Sequence, residues 1–205
     1  CQFHSKTKHL AIAQGNLPSD IDHLPMIRQF LKSLDVEYVI ENVPEAWDKE
    51  ERKKITYSCG SHFGLGVQRH RYFEASFPIE QLKCDHNSPH WPIGPKGKPK
   101  PIGVYGRKGD KIKGMCHKTG KMQTGGWTAK TVEEAQQAMG ITHISSWRNL
   151  CQAIPPAYTE HISKCFFKHM EAKEAGILSV PEKSTHQVSL EQFGFTEHDT
   201  ERSCG

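Results

Sequence analysis

Apolar residues recur at three- and four-residue steps through Ile21, Leu24, Ile27, Leu31 and Leu34, which predicts an amphipathic helix over residues 20–34. Ser19 or Asp20 can cap its start, and Pro25 falls early, where its missing N–H costs least. Branched and aromatic residues follow at 36–40 without a turn signal and predict a strand that ends in Glu41-Asn42-Val43-Pro44. A polar stretch at 47–54 reads as a helix or an exposed loop. Short strands are expected at 55–58 and 71–77, separated by the turn-rich run Cys59-Gly60-Ser61-His62-Phe63-Gly64-Leu65-Gly66. Thr131 can cap a helix at 132–139 with Glu133 and Glu134 in its first turn. Ser145-Ser146 precedes a short helix, and Pro155-Pro156 opens a longer one over 157–175. No internal repeat is present.

The spacing between these elements divides the chain. Beyond Pro78 and up to Lys130 lie 9 of the 17 glycines and 5 of the 12 prolines, so irregular hairpins or loops are expected there. The same stretch concentrates charge: residues 81–130 hold 11 Lys or Arg and 2 Asp, a net +9, in a chain whose total is +4. The remainder is therefore slightly acidic, and a basic block in such a chain points to a polyanion or to a solvated loop. The expected organisation is a sheet-bearing part at 1–77, an insertion at 78–130, a return to the first part at 131–176, and a polar tail at 177–205.

Composition narrows the class. With 205 residues and 36% hydrophobic content, the chain can bury a modest core. It has no apolar run near the roughly 20 residues of a membrane span, and no signal peptide opens it. Seven scattered cysteines, an odd number, argue against a disulfide framework and for the cytoplasm. The abrupt opening on Cys1-Gln2, without Met, leads us to expect a piece of a longer protein. Cys84, His86, His90, Cys116 and His117 do not have zinc-knuckle spacing, so no metal is expected from them.

Strand, helix, strand is the unit of an open parallel sheet, in which chemistry gathers at the carboxyl ends of strands. If Cys1 follows one strand and Glu41 ends the next, a thiol and a carboxylate share one sheet edge. These residues also carry a resemblance. Cys1-Gln2, Glu41-Asn42-Val43, Arg69-His70-Arg71 and Gln152-Ala153-Ile154-Pro155-Pro156 resemble the fourth, sixth, eighth and tenth motifs of cytosine-5 DNA methyltransferases, in that family's order. The runs 38–44, 59–74 and 152–162 look closest to its compact, phage-type members, and the likeness covers roughly residues 1–165. Two departures are visible: Cys151-Gln152 stands where relatives carry Gly-Asn, and Val67 holds the place of a family Gln.

The resemblance implies an α/β fold: the C-terminal part of a Rossmann-like S-adenosylmethionine-dependent methyltransferase sheet, with a small irregular or β target-recognition insertion. It implies that Cys1 adds to C6 of a flipped cytosine and that Glu41 holds a proton at N3, a task needing a raised pKa. Arg71, with Arg69 beside it, would contact the base carbonyl or a phosphate. Gln152, Ala153 and Ile154 would wall the S-adenosylmethionine site. In the insertion, Lys96, Lys98, Lys100, Arg107 and Lys108 would meet the phosphates of double-stranded DNA, with Trp91, Tyr105 and Trp127 free to stack or wedge. No membrane and no obligate protein partner are expected, and the implied setting is a bacterial or phage-infected cell. The rival readings are a non-catalytic DNA-binding relative and an amidohydrolase using an N-terminal Cys.

Overall fold

The structure, a computed structural model, describes residues 22–34, 36–89, 91–94, 97–109, 111–115 and 122–177, with backbone alone for 111–115 and 122–126. Cys1, Lys96 and the tail beyond 177 therefore lie outside the described residues, as do residues 20 and 21 of the first expected helix. Among the described residues the protein is a mixed α/β structure with two small sheets and four α-helices. No helix among them is long and apolar enough to cross a membrane.

The first sheet has three strands: β1 (Val39–Asn42), β2 (Thr56–Ser58) and β3 (Arg71–Ala75), in the order β1-β3-β2. The central strand β3 runs antiparallel to both neighbours, with Glu41 opposite Phe73 and Ser58 opposite Arg71. The parallel crossover expected between Cys1 and Glu41 starts outside the described residues, so within this sheet every described pairing is antiparallel. Strand β1 begins three residues later than the run at 36–40 implied and continues through Glu41 and Asn42, which pair with Phe73 and Tyr72.

Alternation along these strands builds two opposite faces. On one, Ile40 and Tyr72 pack with Leu24 and Leu31 of α1 (Leu24–Ser33) and with Ala46, Trp47 and Ile55. Helix α1 carries Pro25 in its first turn, as its sequence suggested, and the Asp22 carboxylate accepts from Leu24 N–H. Ile27 and Leu34, expected on the same stripe, are exposed. On the other face, Phe73 and Phe77 pack with Tyr158 and Ile162 of α4 (Pro156–Glu174). The sheet thus has a helix on each side.

The second sheet is made of β4 (Ile102–Gly103), β5 (Lys111–Met115) and β6 (Met122–Thr128), in the order β4-β6-β5. Strands β5 and β6 form an antiparallel hairpin with a register shift between Ile112 and Lys113, and β4 pairs with β6 in parallel. Against it lie α2 (Val132–Met139) and α3 (Trp147–Gln152), capped by Thr131 and Ser146 as the sequence indicated. Val67, Ile102, Val104, Ala129, Ala138, Met139, Ile141 and Leu150 fuse into the largest buried cluster. Helices α2 and α3 therefore pack with the insertion, and α4 is the element of 131–176 that packs on the first sheet. Main-chain bonds stitch the two parts together: Gly66 N–H donates to Ala138 O at 2.9 Å, and Ile102 N–H donates to Gly66 O at 2.8 Å.

Candidate active site

Glu41 lies near the carboxyl end of β1, on the face of the sheet that also carries Phe73. Arg71, two residues before Phe73 on β3, falls on that face diagonally across from Glu41. Such diagonal neighbours are within reach of long side chains. The Arg71 Nε donates to Glu41 Oε1 at 2.8 Å. The Glu41 side chain is about one-third exposed and Arg71 less so. Burial raises the Glu41 pKa above the ordinary glutamate value, and the cations of Arg71 and Arg69 oppose that rise without cancelling it. A carboxyl held this way keeps a proton to higher pH than a surface Glu while standing beside a fixed donor.

Arg69 is more deeply set. Its guanidinium donates to Val104 O at 3.2 Å and to Cys151 O at 2.6 Å, while its own carbonyl accepts from the Tyr158 hydroxyl. Arg69 thus ties the insertion and the end of α3 through its side chain, and the start of α4 through its carbonyl, to the approach of β3. Burial, together with Arg71 close by, pushes its guanidinium down to about 10, still cationic at neutral pH. Its Nε is buried without a partner among the described residues. Arg69 and Arg71 line a cleft of about 590 Å³ with Val43, Glu45, Gln68, Val104 and Tyr105. The two arginines named from the sequence therefore divide the work: Arg71 meets Glu41, and Arg69 chiefly holds the walls of the cleft.

The other candidate residues separate into two groups. Lys98, Lys100, Arg107 and Lys108 are all exposed, as a polyanion contact requires. Lys98 and Lys100 edge a second cleft, of about 310 Å³, shared with Gln68, His86 and Trp91. Tyr105 is 49% exposed at the rim of the first cleft. Trp91 and Trp127 are not free for bases. Trp91 is buried at 4% exposure and stacks on His86, and Trp127 packs against the largest apolar cluster. Aromatic residues in a Gly- and Lys-rich stretch read as exposed, but the stretch folds into a sheet and needs them as core.

At the tenth-motif positions, Ala153 and Ile154 are committed to apolar packing, one in each of two clusters, and Gln152 alone offers a polar side chain to solvent.

Sequence reasoning missed one constellation. His70 sits between Arg69 and Arg71, and its ring meets Cys84 and His86, with Cys59 close by. Two of these residues were in view from the sequence, but in the wrong company. The usable signal was positional: Cys59 and His70 flank two expected strands, which places both at the base of one hairpin. Comparison with family models, curated proteins and solved structures returned no match for the chain.

Proposed function

We propose that this chain carries the base-activating part of a DNA cytosine-5 methyltransferase, within a Rossmann-like sheet of which β1, β3 and β2 form one edge. The observation that carries the reading is the Glu41–Arg71 pair, a half-buried carboxyl with a raised pKa held 2.8 Å from a guanidinium. Cytosine C5 is a poor nucleophile until a thiolate adds at C6, and negative charge then accumulates on the ring. Glu41 in its protonated form donates to N3 and stabilises that charge. Arg71 keeps the carboxyl oriented and presents its remaining N–H groups to the base carbonyl. General acid help of this kind contributes typically about 10²–10⁴-fold.

Cys1 is the nucleophile in this reading, and S-adenosylmethionine supplies the methyl group. Gln152, Ala153 and Ile154 would form a wall of that cofactor's site, and no step is assigned to them. The antiparallel pairing of β1, β3 and β2 is compatible with the proposed fold, since many doubly wound sheets carry antiparallel edge strands. Helices on both faces of the first sheet support it further. Exposed Lys98, Lys100, Arg107 and Lys108 give the duplex a basic surface.

The test is covalent capture of duplex DNA containing 5-fluorocytosine by the protein made from its complete reading frame, with S-adenosylmethionine present. A denaturation-resistant adduct that disappears on Cys1→Ser is expected. A folded protein that binds the cofactor yet traps no DNA across varied sequences would overturn the catalytic reading and favour a DNA-binding relative.

A further inference from the structure

We infer that Cys59, His70, Cys84 and His86 form a four-ligand zinc site that pins the start of the basic insertion to the first sheet. One atom from each residue converges on a common point, and all four lie within 4.8 Å of one another. The separations are 3.3 Å for His70 Nε2 to His86 Nε2, 3.4 Å for His70 Nε2 to Cys84 Sγ, and 3.8 Å for Cys59 Sγ to His86 Nε2. Ordinary zinc bond lengths in a regular tetrahedron give edges of about 3.4 Å between nitrogens and about 3.6 Å between sulfur and nitrogen. These three of the six edges match to within a few tenths of an ångström, and the other three are no longer than 4.8 Å.

Hydrogen bonding alone explains this arrangement poorly. His70 Nε2 faces both the Cys84 sulfur and the His86 nitrogen, and a single ring nitrogen cannot answer both with one proton. A central cation takes a lone pair from each of the four. The surroundings fit thiolates as well. The Ser61 hydroxyl donates to Cys59 Sγ at 3.3 Å. His62 accepts from Cys59 N–H through Nδ1, which leaves its Nε2–H to donate to Cys84 Sγ at 3.2 Å. Each sulfur therefore has a donor from outside the four, and the Gln68 amide lies across the His86 ring, 3.3 Å from Nδ1 and 3.4 Å from Nε2. Partners of this kind orient metal ligands.

The fold explains how residues so far apart meet. Ser58 pairs with Arg71, so Cys59 and His70 are one step beyond, at the base of the β2–β3 hairpin. Cys84 and His86 arrive from the segment that leads into the insertion. Four protein ligands close the coordination sphere, so the site is structural and leaves no position for substrate. It also commits the His70 ring to the metal, although His70 lines the cleft beside Arg69 and Arg71.

The experiment is metal analysis of the full chain purified under reducing conditions from zinc-containing medium, followed by cobalt substitution. The expected result is one zinc per chain after gel filtration, two sulfur and two nitrogen neighbours by X-ray absorption, and thiolate-to-cobalt charge-transfer bands on replacement. His86→Ala, at an exposed position that should tolerate the change, should weaken retention more than tenfold, while Cys165→Ser should leave it unchanged. A folded, reduced wild-type chain without stoichiometric metal and without cobalt–thiolate bands would overturn the site. So would a Cys59–Cys84 disulfide found in its place, or a zinc that survives intact in both Cys59→Ser and Cys84→Ser.

Discussion

The two sheets of this protein are held in opposite ways. Around β4–β6, nine buried apolar residues form one continuous cluster, and α2 and α3 meet it with capped N-termini and few charges. Around β1–β3, the apolar burial is split by the sheet into two clusters of four buried residues each. Charged groups fill the gaps there. Arg28 pairs with Glu74 at 2.8 Å, with Trp47 Nε1 donating to the same carboxylate, and Lys173 pairs with Glu37 at 2.7 Å. The region that carries the proposed chemistry has the thinner core. A sheet that presents Glu41 and Arg71 on one face gives up apolar contacts where those side chains stand, and polar ties make up part of the loss.

The sharpest way to break the pair of regions is at their joint. A Cβ on Gly60 would fall 1.9 Å from the Val67 carbonyl oxygen, and backbone cannot yield as a side-chain tip can. Gly60→Ala is therefore expected to cost more than about 4 kcal/mol and to leave little folded protein, read by loss of the cooperative urea transition. Next in size is the contrast between the cores. Leu150 is fully buried in the large cluster, so Leu150→Ala should cost about 3–4 kcal/mol. Leu24, slightly exposed in a small cluster under α1, should cost nearer 2 kcal/mol on the same change. Equal shifts in urea midpoint for the two variants would show that the apparent difference between the cores is not energetic.

The regions also differ in how much of each could be read from sequence. The starts of α2, α3 and α4 were legible to within a residue, because Thr131, Ser146 and Pro155-Pro156 write them in local chemistry. The three short strands of the first sheet were legible from their branched and aromatic runs, although β1 begins three residues later than expected, and Glu41 and Arg71 entered through the motif resemblance. The second sheet was not. Its strands are rich in Gly and Lys, β4 is two residues long, and the pairing of β4 with β6 joins segments some twenty residues apart. The Cys/His cluster escaped for a related reason. Its members sit at 59, 70, 84 and 86, and only strand register brings them together. Local signals state where helices begin, whereas contacts between distant segments depend on packing that no single stretch records.

A smaller effect separates the polar ties of the first region by pH. Glu37 is held down to about 2, first by the Lys173 hydrogen bond, then by the Ser76 hydroxyl and by His169, against a contrary push from burial. A depressed carboxylate stabilises the fold fully above its ordinary value of 4.5 and loses that contribution as pH falls from 4.5 through about 2. Lys173→Met should therefore lower stability by about 1 kcal/mol at pH 7, the scale of a partly exposed pair. The gap between variant and wild type should close across that acid window, as seen in melting temperatures taken at pH 7, 4 and 2.5. A gap independent of pH would assign the loss to the packing of the Lys173 stem.

Glu41 should behave as the reverse of Glu37, although both carboxylates sit on the same small sheet region. Burial raises its pKa despite Arg71, so the folded chain holds the proton more tightly than the unfolded one. The contribution of such a group is favourable at low pH and is lost as pH rises through the ordinary glutamate range toward the raised value. Glu41→Gln replaces the carboxyl with a neutral group of the same shape. It should leave the melting temperature equal to or above that of wild type at pH 8, with less gain at pH 4. Arg71 retains some contact with water and can keep its charge solvated. The same variant should reduce methyl transfer by about 10²–10⁴-fold if Glu41 serves as the acid at N3. Glu37→Gln supplies the contrast, with stability lowered at neutral pH and turnover unchanged. A Glu41→Gln protein destabilised as much as Glu37→Gln would make Glu41 a structural partner of Arg71 and remove the main support for the catalytic reading. Gained stability with lost turnover is what a carboxyl placed for chemistry, at some cost to the fold, should show.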